Sequence, residues 1–349
     1  MLPILTITHP LVDACSMSVL AAGGMSWSRI LLYNAVAFAL QLPMGVVLDA
    51  RPGLVRGGFV AGTCLVCAAT LAAAFGAGGW GVLVAVCLGN AIFHLTAGKH
   101  VLEAHGGRSG PIGLFISTGA LGLLAGKLGV EHAAAASLPT FAALLAACVV
   151  VAGRDVGWQI STGETPVVPV GGTRSCASAT GETPVVPVGG RVVPNALSST
   201  GETPVVPVGG TRSCASATGE TPVVPVVILA GLFVLVAWRS WAGLEATRLT
   251  AAEGMSLVLA GAAVTWGGKA VGGYLAERLG RWTVTAASVC GSAALAFACS
   301  PQNALAWLVL LFVAQLATGP VLSLVYDRMD GKGGTAFGLN CLGLFAGSL

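Results

Sequence analysis

The sequence has very little charge for its length. Only 9% of its 349 residues are Asp, Glu, Lys or Arg, against about 25% in ordinary soluble proteins. Aromatic residues are also scarce, at 6% with three tyrosines. This scarcity excludes an ordinary soluble protein, because a surface that faces water needs more polar cover. The net charge of +3 gives no basic surface that would indicate binding to nucleic acid.

Long apolar runs take the place of charge. The sequence is 55% hydrophobic with a mean hydropathy of +0.86, and single runs last about 20 residues, enough to cross roughly 30 Å of hydrocarbon as a helix. Their glycine and alanine content suits helices that pack closely in a bilayer. We therefore predict an all-α polytopic membrane protein with helices over residues 2–22, 28–48, 57–75, 79–97, 111–130, 134–152, 226–246, 254–275, 282–300 and 303–325.

The spans divide into two halves around an unusual insert. We predict a six-helix N-terminal half over residues 1–152 and an incomplete C-terminal half over residues 226–349, in which an eleventh helix starts near residue 335. The insert at 153–225 contains TGETPVVPV four times, and residues 162–188 are repeated without change at 200–226. Frequent proline and glycine predict a disordered linker.

Loop charges indicate how the chain is oriented. Loops after the even-numbered spans hold eight lysines and arginines, against four on the other side. Because Lys and Arg accumulate on the cytoplasmic side, we predict a multi-pass protein of the inner (cytoplasmic) membrane with its N-terminus and linker in the cytoplasm. The ten cysteines mostly lie in apolar runs, where Cys acts as a small hydrophobe.

Two charged loops share a pattern 228 positions apart. The second loop, GGYLAERLGRW at 272–282, matches G-x-L-A-E-R-x-G-R, and the first, GVVLDARPGLVR at 45–56, is a degenerate copy. The pattern resembles the loop signature of the major facilitator superfamily, G-x-L-[AS]-D-R-x-G-R-[RK], which follows the second and eighth helices. The matching residues are Gly45, Asp49, Arg51, Gly53 and Arg56 in the first copy, and Gly273, Leu275, Ala276, Glu277, Arg278, Gly280 and Arg281 in the second.

The resemblance implies a two-half helical bundle in which these loops act as gates. It implies that Asp49 accepts hydrogen bonds from the start of the eleventh helix, near Gly334 and Thr335, and so latches one conformation. A helix N-terminus favours such an acid. The alternative interpretation, plain positive-inside loops, explains the arginines but not the paired acids.

A looser similarity points to one branch of the superfamily. The segments ITHPLVDACS, GNAIFHLTAGK and LVAWRSWAG are similar to features of the fosmidomycin-resistance-like transporters. They contain His9, Asp13, Phe93, His94, Arg239 and Ser240.

Ionisable residues inside the spans are candidates for function, since each costs roughly 2.5–3.5 kcal/mol at mid-bilayer. His9 and Asp13 share a face of the first helix, with Asp13 a proton carrier and Arg239 its partner across the two halves. An alternative is that Asp13 lies near the membrane interface. His94 is a proton or substrate group, followed by a cytoplasmic loop with Lys99, and Lys269 either binds an anion or reaches the cytoplasmic surface.

Four glycines in the fifth span, Gly119, Gly122, Gly126 and Gly129, fall on one face and predict close approach to another helix.

The sequence thus predicts a secondary active transporter that exports a small organic solute by proton-coupled alternating access. Its predicted partners are the solute, protons and the lipid bilayer, and we expect a monomer without enzymatic activity, cofactor or metal. Two alternatives stay open at this point. The chain is a truncated or decayed transporter without activity, or it is a membrane sensor or scaffold with the same fold.

Overall fold

The structure is a computed structural model that describes residues 1–154, 223–251, 254–298 and 303–349, and every regular element in these ranges is helical. The predicted linker falls almost entirely outside the described residues. A five-residue π-helix, Ala35–Ala39, joins α2 to α3. The α-helices are α1 (Leu2–Ala22), α2 (Trp27–Asn34), α3 (Gln41–Ala50), α4 (Leu54–Ala74), α5 (Trp80–Ala104), α6 (Ser109–Ser117), α7 (Gly119–Arg154), α8 (Val223–Ala251), α9 (Met255–Leu279), α10 (Arg281–Ala298), α11 (Ala304–Gln315), α12 (Thr318–Arg328) and α13 (Gly333–Ala346).

These segments combine into membrane-length helices. The α2–α3 and α11–α12 pairs are each one interrupted helix, and α6–α7 is a continuous stretch with two crossings, so the described residues form ten membrane-length helices followed by the shorter α13. Seven described stretches are both long and apolar enough to span a membrane. The predicted fold class is confirmed.

The helical stretch Ser109–Ala152 is too long for a single crossing. Its 44 residues correspond to about 66 Å of helix, roughly twice the thickness of the hydrocarbon core. Ala133 has a non-helical backbone conformation, with φ −157° and ψ 55°. This kink lies between the predicted fifth and sixth spans and divides the stretch into two crossings.

Helix α5 extends further than the sequence predicts. The predicted span ends at residue 97, whereas α5 continues to Ala104. Val101 and Leu102 are buried, and the chain meets no conformational break until Gly106 and Gly107, which both have positive φ. Lys99 is therefore helical and buried rather than part of a cytoplasmic loop.

Glycines bring α7 onto the backbone of α1. A Cβ at Gly122 would lie 2.7 Å from Pro10 Cα, and a Cβ at Gly126 would lie 2.9 Å from Ala14 Cα. Gly119 belongs to the same contact, but Gly129 faces elsewhere, towards the part of α7 beyond the kink. Small residues therefore fix the distance between the two helices.

We expect Gly126→Ala to destabilise the protein by about 1–3 kcal/mol, because the methyl group overlaps the α1 backbone. Gly231→Ala is the matched control, since Gly231 is also helical but a Cβ there meets nothing within 4 Å. Thermal unfolding in detergent measures both. Equal midpoints for the two variants would contradict the packing account.

Candidate functional site

Asp49, at the end of α3, binds the first residues of α13. Its carboxylate accepts hydrogen bonds from Gly334 N at 2.8 Å, Thr335 N at 2.7 Å and Thr335 Oγ1 at 2.6 Å. The backbone N–H groups of a helix N-terminus have no partner within the helix and favour negative charge. This contact joins the two halves of the chain, and we call it the first latch.

Lys99 completes the first latch. Its Nζ lies 2.7 Å from Asp49 Oδ1 and also binds Glu103. The Lys99 side chain is only 4% exposed, so these two acids are needed to stabilise its buried positive charge. The sequence placed Lys99 in a loop and gave no signal for this role, because its partner Asp49 is 50 residues away.

Glu277, at the end of α9, makes the equivalent contact in the opposite direction. It accepts a hydrogen bond from Gly110 N at 2.9 Å, at the start of α6, and pairs with Arg108 at 2.7 Å. The Glu277 carboxylate raises the pKa of the Arg108 guanidinium, which lies in the loop before α6. We call this contact the second latch.

Both latches rely on a glycine four residues before the acid. A Cβ at Gly45 would lie 2.6 Å from the Gly334 carbonyl carbon, and a Cβ at Gly273 would lie 3.1 Å from that of Ser109. Only glycine allows such an approach of two backbones. The same role therefore falls on corresponding residues of the two signature copies.

The other signature residues surround the latches. Arg281 donates to Gly107 O at 2.9 Å and pairs with Asp327. Gly280 has φ 94° and separates α9 from α10. The remaining arginines, which are exposed on the same side, are Arg51, Arg56 and Arg278.

A second group of predicted residues meets in the middle of the membrane helices. Asp13 Oδ2 lies 3.2 Å from His9 Nε2, and Asp13 Oδ1 lies 3.4 Å from His94 Nε2. The Asp13 and His9 side chains are 9% and 4% exposed. We call these three residues the His–Asp cluster.

Neighbouring groups hold the His–Asp cluster in place. His9 Nδ1 lies 2.7 Å from Phe115 O, and His94 Nδ1 lies 2.9 Å from Asn90 O. Asn90 Nδ2 also donates to Asp13 Oδ1 at 3.2 Å. A Cβ at Gly119 would lie 2.9 Å from His9 Nε2, so this glycine makes room for the cluster.

The cluster lies far from either end of its helices. Asp13 is near the centre of Leu2–Ala22, and His94 is near the centre of Trp80–Ala104. At 1.5 Å per residue, both are about 14–15 Å from the nearer end of their helix. Ionisable groups at this depth mark ion or substrate pathways by default.

Arg239 and Lys269 supply positive charge in the other half. Arg239 is buried, donates to Gln315 at 3.4 Å and to Thr318, and has no partner for its Nε within the described residues. Lys269 lies within electrostatic range of both Arg239 and Asp13. The structure does not bring Asp13 and Arg239 together as an ion pair in its described part, so this pairing stays a prediction for another conformation.

Comparisons with known proteins identify the fold. No protein-family model and no curated protein matches the chain. Among solved structures, the chain is similar to a variant of the E. coli fucose:proton symporter FucP, with a TM-score of 0.57, 10% identity and coverage of 99% of this chain and 88% of that one. FucP in the outward conformation gives a TM-score of 0.59 at 12% identity, with the same coverage.

A third structure agrees with this assignment. A bacterial homologue of the iron transporter ferroportin in an outward-facing state gives a TM-score of 0.51 at 14% identity, over 99% of this chain and 89% of that one. Identities this low establish architecture alone. The chain has the fold of the major facilitator transporters, a multi-pass membrane architecture.

Proposed function

We propose that the chain is a secondary active transporter that exports a small organic solute by alternating access, coupled to protons. The observation that carries the proposal is the buried His–Asp cluster at mid-membrane, in a fold whose two latches lie towards one end of the helices. The solute and coupling ion are parts of the proposal, as are the direction of transport and the inner-membrane location.

The latches supply the conformational element. Hydrogen bonds between the halves are concentrated around Asp49 and Glu277, so this conformation is held closed on the latch side. We place that side in the cytoplasm, because it carries the excess of arginine. Opening towards the cytoplasm requires both acids to leave their helix N-termini, which gives two discrete states.

The His–Asp cluster supplies the coupling group in this proposal. Its carboxylate and two imidazoles can exchange protons with whichever side is open. Protonation of Asp13 weakens its attraction for the positive charges of the other half. A pair between Asp13 and Arg239 that forms in only one state would tie proton binding to the rocking of the halves.

Arg239 and Lys269 suggest the charge of the solute. Both are cations near mid-membrane, and the described residues provide neither with an acidic hydrogen-bond partner. A cationic surface in a transporter core attracts anions. A small organic anion is therefore the solute class we propose, and the fosmidomycin-resistance-like similarity of the sequence stays a hypothesis within it.

The test uses the purified chain in vesicles that enclose a pH-sensitive dye. We expect at least one member of a panel of small carboxylates, phosphates and phosphonates to change the internal pH, and Arg239→Ala to remove the response. Vesicles without protein give the background. If no compound moves protons, the sensor or scaffold alternative becomes the better account.

A further inference from the structure

The orientation of the two imidazoles in the His–Asp cluster shows which nitrogen of each ring carries its proton. A backbone carbonyl can only accept a hydrogen bond. The short contacts of His9 Nδ1 with Phe115 O and of His94 Nδ1 with Asn90 O therefore place the proton on Nδ1 in both rings. In the neutral rings, each Nε2 then carries a lone pair, and both Nε2 atoms face the carboxylate of Asp13.

Three groups rich in lone pairs thus converge on one point. The ligand atoms of His9, Asp13 and His94 all lie within 4.8 Å of one another. A single proton can form a hydrogen bond between the carboxylate and only one of the two imidazoles. At the other imidazole, the lone pairs of Nε2 and the carboxylate oxygen then face each other and repel. A stable cluster therefore needs either a proton on each ring or one cation that is shared by all three groups.

The distances favour the shared cation. Charge-assisted N–H to carboxylate hydrogen bonds are about 2.7–2.9 Å long, whereas the two contacts measure 3.2 and 3.4 Å. The two contacts reach different oxygens of Asp13, and the three ligand atoms lie within 4.8 Å of one another, so one ion with ligand bonds of about 2.0–2.2 Å fits between them after a small adjustment of the side chains. The His9 and His94 rings also meet edge to face with centroids 4.6 Å apart, and two imidazolium rings at that distance would repel each other.

The surroundings are those of a metal-binding histidine pair. Metal-ligating histidines usually donate the other ring N–H to a backbone carbonyl or carboxylate, and ligating carboxylates are themselves hydrogen-bonded. Phe115 O and Asn90 O play the first role, and the Asn90 side chain plays the second. The Phe115 ring stacks on His9 at 4.7 Å and excludes water from one side.

We propose that His9, Asp13 and His94 bind one divalent ion of a first-row transition metal. Two imidazole nitrogens and one carboxylate suit zinc, iron, cobalt or nickel, and they do not suit calcium or magnesium, which prefer oxygen ligands. The His94 side chain is 13% exposed, so the third ligand is accessible. This inference rests on ligand geometry and not on the proposed function; because the ion and protons use the same lone pairs, they are alternative occupants of the cluster.

Zinc binding to the purified full chain tests the proposal. The protein is stripped with a chelator, freed of any affinity tag and titrated with Zn²⁺ by calorimetry. We expect one ion per chain, and at least a tenfold weaker affinity in Asp13→Asn and His94→Gln. His132→Gln is the matched control, because His132 is exposed yet makes the same local bond, from Nδ1 to the carbonyl of Leu128.

Two further measurements separate zinc binding at the cluster from misfolding and from binding by cysteine. Asn90→Ala keeps all three ligands and is expected to weaken zinc binding about 10–100-fold, which matters if a ligand variant does not fold. Co²⁺ absorption without a thiolate charge-transfer band excludes the cysteines as the site.

The proposal is overturned if the wild type binds no zinc, or if the ligand variants and Asn90→Ala bind it as tightly as the wild type. Solute-driven proton flux without zinc binding would overturn this inference alone.

Discussion

Asp13→Asn is expected to reduce solute-coupled proton movement to the level of empty vesicles. The amide has the size of the carboxylate but cannot take up and release a proton. It also lacks the negative charge that attracts Arg239 and Lys269. The measurement is dye-reported proton flux in vesicles, with the solute to which the wild type responds.

The fold should survive this change. The amide keeps the size of the carboxylate, and its oxygen can still accept the hydrogen bond from Asn90, so we expect the unfolding midpoint of Asp13→Asn to stay close to that of the wild type. Asp330→Asn is the control, because Asp330 is exposed in a loop with φ 52°, a conformation that asparagine adopts readily. Wild-type flux in Asp13→Asn would contradict the role of the His–Asp cluster in coupling.

Asp49→Asn is expected to open the first latch. The variant loses the charge that binds Lys99 and the α13 N-terminus, and Lys99 is left with Glu103 alone. The hydrogen bonds from Gly334 and Thr335 lose their charged acceptor; hydrogen bonds to charged groups contribute about 1.5–3 kcal/mol each, and a loss of about 2.8 kcal/mol raises the open population roughly 100-fold. Hydrogen exchange should therefore become markedly faster at the Gly334 and Thr335 amides, which donate to Asp49.

Two variants make this result specific. Glu277→Gln should speed exchange at the Gly110 amide, which donates to Glu277, because the second latch mirrors the first. Glu131→Gln, an acid-to-amide change at an exposed residue of α7 that pairs with Lys127 outside both latches, should leave both regions unchanged. Unaltered exchange at Gly334 in Asp49→Asn would show that the carboxylate does not hold the two halves together.

The fold could be predicted because its signals are local. Apolar runs of membrane length identify the spans, and a loop pattern repeated 228 positions apart predicts two related halves. The predicted neighbours of Asp49 follow from the resemblance that this pattern carries. The sequence does not predict the interruptions of the helices, because the π-helix at residues 35–39 and the kink at Ala133 occur within continuous apolar sequence.

The composition of the site depends on tertiary packing and was harder to predict. His9 and Asp13 are one helical turn apart, so the sequence alone pairs them. His94 is 81 residues further along the chain and reaches Asp13 only because α5 packs against α1. No local pattern showed this, so the sequence analysis treated His94 apart from His9 and Asp13, as a proton or substrate group. The role of Lys99 was hidden in the same way.

The most direct test of alternating access is a reversible cross-link between the halves. The hydroxyls of Ser109 in α6 and Ser323 in α12 are 3.0 Å apart and buried on the latch side, so the double variant Ser109→Cys, Ser323→Cys is expected to form a disulfide. Each single variant is the control for the native cysteines. The account predicts that oxidation stops solute-coupled proton flux in the double variant alone and that a reductant restores it. Full flux through the cross-linked protein would contradict the account, because it would show that the halves need not separate there.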